Sequence, residues 1–179
     1  DFGLLIQHSL ACNSTAEIDF TNAAKPSGIG NPTEAALLLW LYKHGIDYKG
    51  VKKSVAFVEE LPFSTNRKCM ATVIKTQSEQ KVLLVKGAPE IVLDMCRNVA
   101  ANTSHEVIKE RLRAYQNQAM RTLGFACQKL GEDETAIQDG KIVADDMTFL
   151  GVVAISDPVR HDVPAAVKEC FNSGIKIKI

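Results

Sequence analysis

A strand that runs straight into a helix is written into residues 81–90. Lys81–Lys86 is a run of apolar and β-branched residues, the make-up of a β-strand. Gly87 ends it, and Pro89 and Glu90 open a helix that extends to about Cys96, since proline fits the first turn of a helix. Two more strands precede this unit, at Ser54–Glu60 and Lys68–Lys75, and two follow, at Thr122–Leu130 and Met147–Ile155. The short polar link Thr76–Gln80 joins the second and third strands as an antiparallel hairpin. An acidic link marked by glycine covers 131–146. The pattern predicts an α/β chain of the α+β kind, a mainly antiparallel sheet flanked by helices.

The helices carry their own signals. Residues 3–12 form a short apolar helix, and 21–31 a loop rich in Gly, Pro, Ser and Asn. Asn31 is an N-cap, Pro32 occupies the first turn, and Glu34 stands three residues after the cap, a capping-box arrangement. Leu37, Leu38, Trp40 and Leu41 are expected on the buried face, and Gly45 is the C-terminal stop. A second capping box, Thr103 with Glu106, opens a helix to about Met120. From residue 156 onward the rhythm changes. Asp157-Pro158 is a turn, Asp162–Ser173 a helix that ends at Gly174, and Ile175–Ile179 the start of a strand. Strand, helix, strand is the beginning of a parallel α/β unit. The expected division is a domain over 1–155, then a hinge and an incomplete second domain over 156–179. The first residue is Asp rather than Met and the last residues stop inside a strand, so the chain reads as a piece cut from a longer protein.

Composition excludes several classes. Lys plus Arg and Asp plus Glu number 21 each. That balance argues against nucleic acid held by bulk charge and supplies no polybasic membrane patch. No stretch reaches the roughly 18 apolar residues that span a bilayer. The five cysteines form no Cys-x-x-Cys pair, and with His8, His44, His105 and His161 they supply no zinc cluster. They read as reduced, small hydrophobes. No Gly-x4-Gly-Lys-Ser/Thr and no Gly-x-Gly-x-x-Gly occurs, so the usual glycine-rich routes to phosphate are missing.

The candidate chemistry lies in a few segments, each with a plainer alternative. In Lys86-Gly87-Ala88-Pro89-Glu90, a strand-end ammonium beside a bare glycine lets a flat ligand approach; the alternative is an ordinary turn with a surface lysine. Phe63 sits in a loop of small polar residues and two cations, and suits stacking on a base; otherwise it anchors the loop on the core. Met70 lines the same space or fills core. Glu34 accepts from a ligand amine or is only a cap. Arg121 reaches a phosphate or is a solvated charge. Asp157 and Arg160 pair across a hinge or stay unpaired.

Taken in order, these pieces resemble the nucleotide-binding domain of type II P-type cation pumps. The matching segments are Cys12-Asn13, Asn31-Pro32-Thr33-Glu34-Ala35-Ala36-Leu37, Phe63-Ser64 through Arg67-Lys68 and Met70, Lys86-Gly87-Ala88-Pro89-Glu90, Met120-Arg121-Thr122-Leu123 with Ala126, and Asp157-Pro158-Val159-Arg160. They cover nearly the whole chain, and Lys-Gly-Ala-Pro-Glu is a specific signature of the family. The resemblance implies that Phe63 stacks on adenine, that Lys86 lines the far side with Gly87 allowing close contact, and that Glu34 meets the adenine amino edge. Met70 and Leu123 would complete the apolar slot. Arg121 and Lys68 would reach the phosphates, with Arg67 a secondary candidate. Thr65 stands where some animal calcium pumps carry an arginine that contacts the nucleotide.

Further expectations follow from the same resemblance. The parent would form an aspartyl-phosphate on an Asp-Lys-Thr-Gly-Thr segment, absent from this sequence. The fragment would bind ATP without forming a phosphoenzyme and would supply neither catalytic residues nor metal ligands. Mg2+ would be held mainly by the phosphorylation domain. The phosphorylation and actuator domains would be its partners at the cytoplasmic face of a membrane. The motifs look most like those of calcium pumps, and the compact loops like those of bacteria. Two other classes compete: a haloacid dehalogenase-like phosphatase, which needs an Asp-x-Asp pair that Asp19 does not supply, and a non-enzymatic interaction module. On the favoured reading, Phe63→Ala and Lys86→Ala each weaken ATP binding without unfolding the domain.

Overall fold

The computed structural model describes residues 2–22, 24–100, 103–156 and 162–178. In chain order the elements are α1 (Phe2–Ala11), β1 (Glu17–Asp19), β2 (Ser27–Ile29), α2 (Pro32–Lys43), α3 (Tyr48–Lys53), β3 (Ala56–Leu61), β4 (Cys69–Lys75), β5 (Lys81–Gly87), α4 (Pro89–Asp94), β6 (Cys96–Val99), α5 (His105–Gln116), β7 (Arg121–Leu130), β8 (Ile137–Gln138), β9 (Lys141–Ile142), β10 (Met147–Ile155) and α6 (Val163–Asn172). Six strands form the main sheet in the order β3-β4-β5-β7-β10-β6. Every neighbouring pair is antiparallel except β10 with β6. The expected sheet and its class are what the fold contains.

The sheet separates two apolar layers. Because side chains alternate along a strand, Val82 and Leu84 of β5 face one layer, with Leu10, Leu37, Leu38, Leu41 and Tyr48 of α1–α3. Leu83 and Val85 face the other, with Val92, Leu93 and Ile108 of α4 and α5. A central strand covered on both faces must be apolar at nearly every position, which is why Lys81–Lys86 was legible as a strand. The link Thr76–Gln80 closes the β4–β5 hairpin as expected, with the Thr76 amide donating to the Gln80 carbonyl at 3.0 Å.

Several local expectations change. Trp40 is 48% exposed. The buried stripe of α2 runs through Glu34, Leu37, Leu38 and Leu41, the i, i+3, i+4, i+7 positions, and Trp40 stands off it, stacked on the His44 ring at 4.1 Å. Asn31 does cap α2, accepting from the Thr33 and Glu34 amides, but the reciprocal half of the capping box is not made, because the Glu34 carboxylate turns elsewhere. The helix expected from Thr103 begins one residue later, capped by Ser104, and ends at Gln116. The loop 21–31 contains β2, paired antiparallel with β1. The link 131–146 contains the β8–β9 hairpin, turned by Asp139 and Gly140 at φ +51° and +69°. Neither α3 nor β6 was anticipated. Residues 175–178 carry no strand. Asp157-Pro158-Val159-Arg160, with its hinge pair, lies outside the described residues. Among the described residues no helix is long and apolar enough to cross a membrane.

Candidate functional site

A cavity of about 320 Å3 opens where the N-terminus of α2, the loop after α1 and the end of β5 meet. Its floor comes from the face of the sheet that α1 and α2 cover. Met70 on β4 pairs directly with Lys86 on β5, and Lys86 with Phe125 on β7, so all three side chains share that face. Leu123, two residues before Phe125, shares it too. Phe63 comes from the loop between β3 and β4 and is 58% exposed. Gly87 and Ala88 run along one side, and Thr15, Asn31, Thr33 and Pro62 complete the wall. The structure therefore brings together Glu34, Phe63, Met70, Lys86, Gly87 and Leu123.

The closed end is an ion pair. Lys86 occupies the strand row of Val82 and Leu84 and is 3% exposed. Its Nζ lies 2.9 Å from Glu34 Oε1 and donates to the Asn13 carbonyl at 2.5 Å. Glu34 Oε2 accepts from the Thr15 amide at 2.7 Å, Thr15 Oγ1 at 2.8 Å, the Ala16 amide at 3.2 Å and Ser14 Oγ at 3.4 Å. Among the described residues Oε1 accepts only from Lys86, which leaves it a lone pair for a ligand donor. Burial pushes the Glu34 carboxyl up, but the Lys86 ammonium and the Thr15 donors outweigh it and hold the group below the ordinary carboxylate range. Burial pulls the Lys86 ammonium down, against the opposing hold of Glu34.

Asn13 ties this end to the sheet. Fully buried, it donates from Nδ2 to the Leu84 carbonyl at 3.3 Å and accepts from Thr72 Oγ1 at 3.2 Å. Lys52 donates to the Ser14 carbonyl at 3.0 Å and steadies the same loop.

Lys86 is not a free ammonium reaching outward, so its removal bears on the fold as well as on any ligand. A Cβ on Gly87 would lie 2.4 Å from the Lys68 carbonyl oxygen and 2.6 Å from Cys69 Cβ. The closeness of β4 is enough to demand glycine there. Lys68 is exposed and does not line the cavity; its carbonyl accepts from the Ala88 amide at 2.9 Å. Arg121 is exposed at the rim, with Nη1 3.5 Å from Thr33 Oγ1. Arg67 donates to the Pro62 and Gly140 carbonyls. Asn13 and Thr33 stand in segments that carry the resemblance but had no role attached to them, and Thr15 carries no pattern that would have singled it out. Burial pushes the thiols of Cys12 and Cys96 up to about 11 and about 12, as small hydrophobes would behave.

An exposed aromatic over an apolar floor, closed at one end by fixed donors and an acceptor, suits a flat heterocycle with a polar edge. Larger depressions lie beside Lys52 and Phe57, and between α1 and the β4–β5 turn, but neither combines an apolar floor with a buried, hydrogen-bonded charge pair.

Comparison with known proteins matches residues 1–162 to the family model described as P-type ATPase, cytoplasmic domain N. The chain is 30% identical over 183 residues to the calcium-transporting ATPase PAT1 of Dictyostelium discoideum, covering 98% of this chain and 16% of that protein. It is 34% identical over 155 residues to a calcium-transporting ATPase of Bacillus subtilis, covering 82% and 17%. It is 31% identical over 169 residues to the mouse plasma membrane calcium-transporting ATPase 1, covering 86% and 14%. The chain thus spans about a sixth of the length of these relatives.

Proposed function

Since the chain belongs to the P-type ATPases, as their cytoplasmic domain N, we propose that the cavity beside Phe63 receives the adenine of ATP. The observation that carries this reading is the exposed Phe63 ring at a slot floored by Met70 and Leu123 and closed by the Lys86–Glu34 pair. Phe63 stacks on the base, and the free lone pair of Glu34 Oε1 accepts from its exocyclic amine. Lys86 holds Glu34 in place and contributes positive potential at the closed end. Arg121, at the rim beside Thr33, meets the phosphates; Lys68, which does not line the cavity, is the second cation assigned to them.

The described residues do not make a magnesium site. Among them Glu34 is the only carboxylate lining the cavity, and it is already paired. Among the described residues no three His, Cys, Asp or Glu side chains stand close enough to hold a metal. Magnesium and the phosphorylated aspartate are assigned to the phosphorylation domain of the parent, which with the actuator domain completes the pump. The names of the relatives support calcium as the transported ion. Residues 156–179 are assigned to the hinge and the opening unit of the phosphorylation domain; that α6 has no buried residue supports this assignment. The isolated chain binds ATP without forming a phosphoenzyme.

One stacked base and two peripheral cations imply weak binding, about −4 to −6 kcal/mol, or millimolar to tens of micromolar. Amide chemical shifts recorded during titration with ATP test the site. Expected are shifts clustered at Phe63, Met70, Lys86 and Leu123, and an affinity lowered about 5- to 150-fold by Phe63→Ala, the range of one aromatic stack. Because the ring is largely exposed, that variant keeps its melting temperature. Absence of shifts at millimolar ATP, or shifts confined to another face, refutes the proposal.

A further inference from the structure

The guanidinium of Arg67 does not project toward the cavity. Its Nη2 donates to the Pro62 carbonyl at 2.5 Å, the residue immediately before Phe63. Its Nη1 donates to the Gly140 carbonyl at 3.3 Å, in the turn between β8 and β9. Its Nε is out of reach of solvent, and the guanidinium also bears on the buried Cys69 thiol at the start of β4, opposing the rise in its pKa that burial causes. The loop around Phe63 is closed further by the Lys68 amide on the Ser64 carbonyl at 2.7 Å and the Arg67 amide on Ser64 Oγ at 3.2 Å.

Phe63 itself, 58% exposed, has little core packing to orient it. The backbone on its two sides must fix the ring instead, and both sides are tied by residues 67 and 68. The far anchor is firm: Ala136 and Ile137, which open the β8–β9 hairpin, are buried in the α4–α5 layer, and the Val143 amide closes the hairpin on the Ala136 carbonyl at 2.9 Å.

We propose that Arg67 is a positioning residue that holds Phe63 in stacking orientation by clamping Pro62 to the Gly140 turn, and that it is not a phosphate ligand. The inference rests on the reading that Phe63 stacks on the base. Both terminal guanidinium nitrogens are bonded to backbone carbonyls, and a rigid planar fork holds two carbonyls in fixed, separate directions, whereas a lysine's ammonium is a single point that bridges only oxygens converging on it. A ring held in its bound orientation binds tighter because less freedom is lost on binding.

The test compares adenosine with ATP, using the whole 179-residue chain. Dissociation constants for both are measured by amide-shift titration in wild type, Arg67→Gln, Arg67→Lys, Phe63→Ala and the Phe63→Ala/Arg67→Gln double variant. Melting temperatures are recorded for each. Arg67→Gln and Arg67→Lys are expected to weaken adenosine and ATP by the same factor, roughly 3- to 10-fold for one group left unfixed. In the Phe63→Ala background the Arg67 change is expected to have no further effect on adenosine. The proposal is overturned if only ATP weakens and lysine restores it, or if the adenosine loss persists without the ring. Should Arg67→Gln fail to fold, Ser64→Ala, which cuts a second tie of the same loop, must reproduce the equal loss for both ligands. If Phe63→Ala lowers binding and the Arg67 variants do not, the clamp alone is wrong. If wild type binds neither ligand in a way that depends on Phe63, the nucleotide reading falls with it.

Discussion

Removing the Lys86 ammonium while keeping its bulk should cost this protein more stability than binding alone would suggest. Lys86→Met leaves the Glu34 carboxylate in a site where the residue is 7% exposed. Breaking a buried pair from one side typically costs about 3–5 kcal/mol, because the remaining charge is stranded. Glu34 Oε2 keeps the Thr15 amide, the Thr15 hydroxyl and the Ala16 amide, which places the loss at the low end, about 3 kcal/mol. For a domain of this size that lowers the melting temperature by roughly 6–12 °C. Glu34→Gln strands the ammonium instead, beside an amide that can present a donor to it, and should cost a similar amount. The double variant Lys86→Met/Glu34→Gln removes both charges and should recover most of the loss, since neutral replacements of a buried pair are often tolerated.

Urea unfolding without nucleotide measures all three, with the denaturant slope checked for constancy. With about 3 kcal/mol lost in each single variant and most of it recovered in the double, a coupling of roughly 4–5 kcal/mol between the two sites is expected, large because each single change strands a charge. If the double variant loses the sum of the single losses, the pair contributes nothing as a pair, and the account of the closed end of the cavity fails. This also revises the expectation from sequence that Lys86→Ala weakens nucleotide binding without touching the fold.

Two further outcomes follow from the same geometry. Glu34 is held below the ordinary carboxylate range, so the folded state binds its proton less tightly than the unfolded chain. The stability this confers is complete above the unfolded carboxylate value, about 4.3, and is lost as pH falls through the lower folded value. Unfolding free energies measured from pH 6 to 3 should therefore fall more steeply in wild type than in Glu34→Gln; parallel slopes would contradict it. Gly87→Ala would set a Cβ against the Lys68 carbonyl and Cys69, forcing β4 and β5 apart beside the cavity at a cost of about 1–3 kcal/mol. Faster hydrogen exchange at the Ala88 amide, which donates to that carbonyl, should accompany weaker ATP binding, and unchanged exchange would refute the strain.

The strands that sequence could locate were those whose own composition demands burial. β4, β5 and β7 are mostly buried runs rich in apolar residues, β10 is an apolar run buried or half-buried along its length, and their spans agree with expectation to within a residue. β6 reads Cys-Arg-Asn-Val and carries no such demand; it is a strand only because β10 offers it a parallel edge. The six-residue helix α3 holds a glycine at its middle and depends on packing beneath Tyr48. The β8–β9 hairpin was legible in principle, since Asp139-Gly140 is a strong two-residue turn signal, but strands of two residues give no apolar pattern on either side.

At the candidate site, residue types were easier to read than their partnerships. Glu34 stands on the same helical stripe as Leu37, Leu38 and Leu41, and Lys86 on the same strand row as Val82 and Leu84. Each is one charged residue at a position its neighbours mark as buried. A buried charge needs an opposite one, so the two misfits, one in a helix and one in a strand, point to each other even though 52 residues separate them. What sequence could not supply was the ring of donors around them, because Asn13, Thr15 and Ala16 belong to a loop whose path is set by the helices on either side. This arrangement divides the cavity into two ends with different physics. At the Phe63 end, substitution should change affinity and leave stability alone. At the Lys86–Glu34 end the same side chains close the core and shape the slot, so no substitution there can alter recognition without also moving the unfolding free energy.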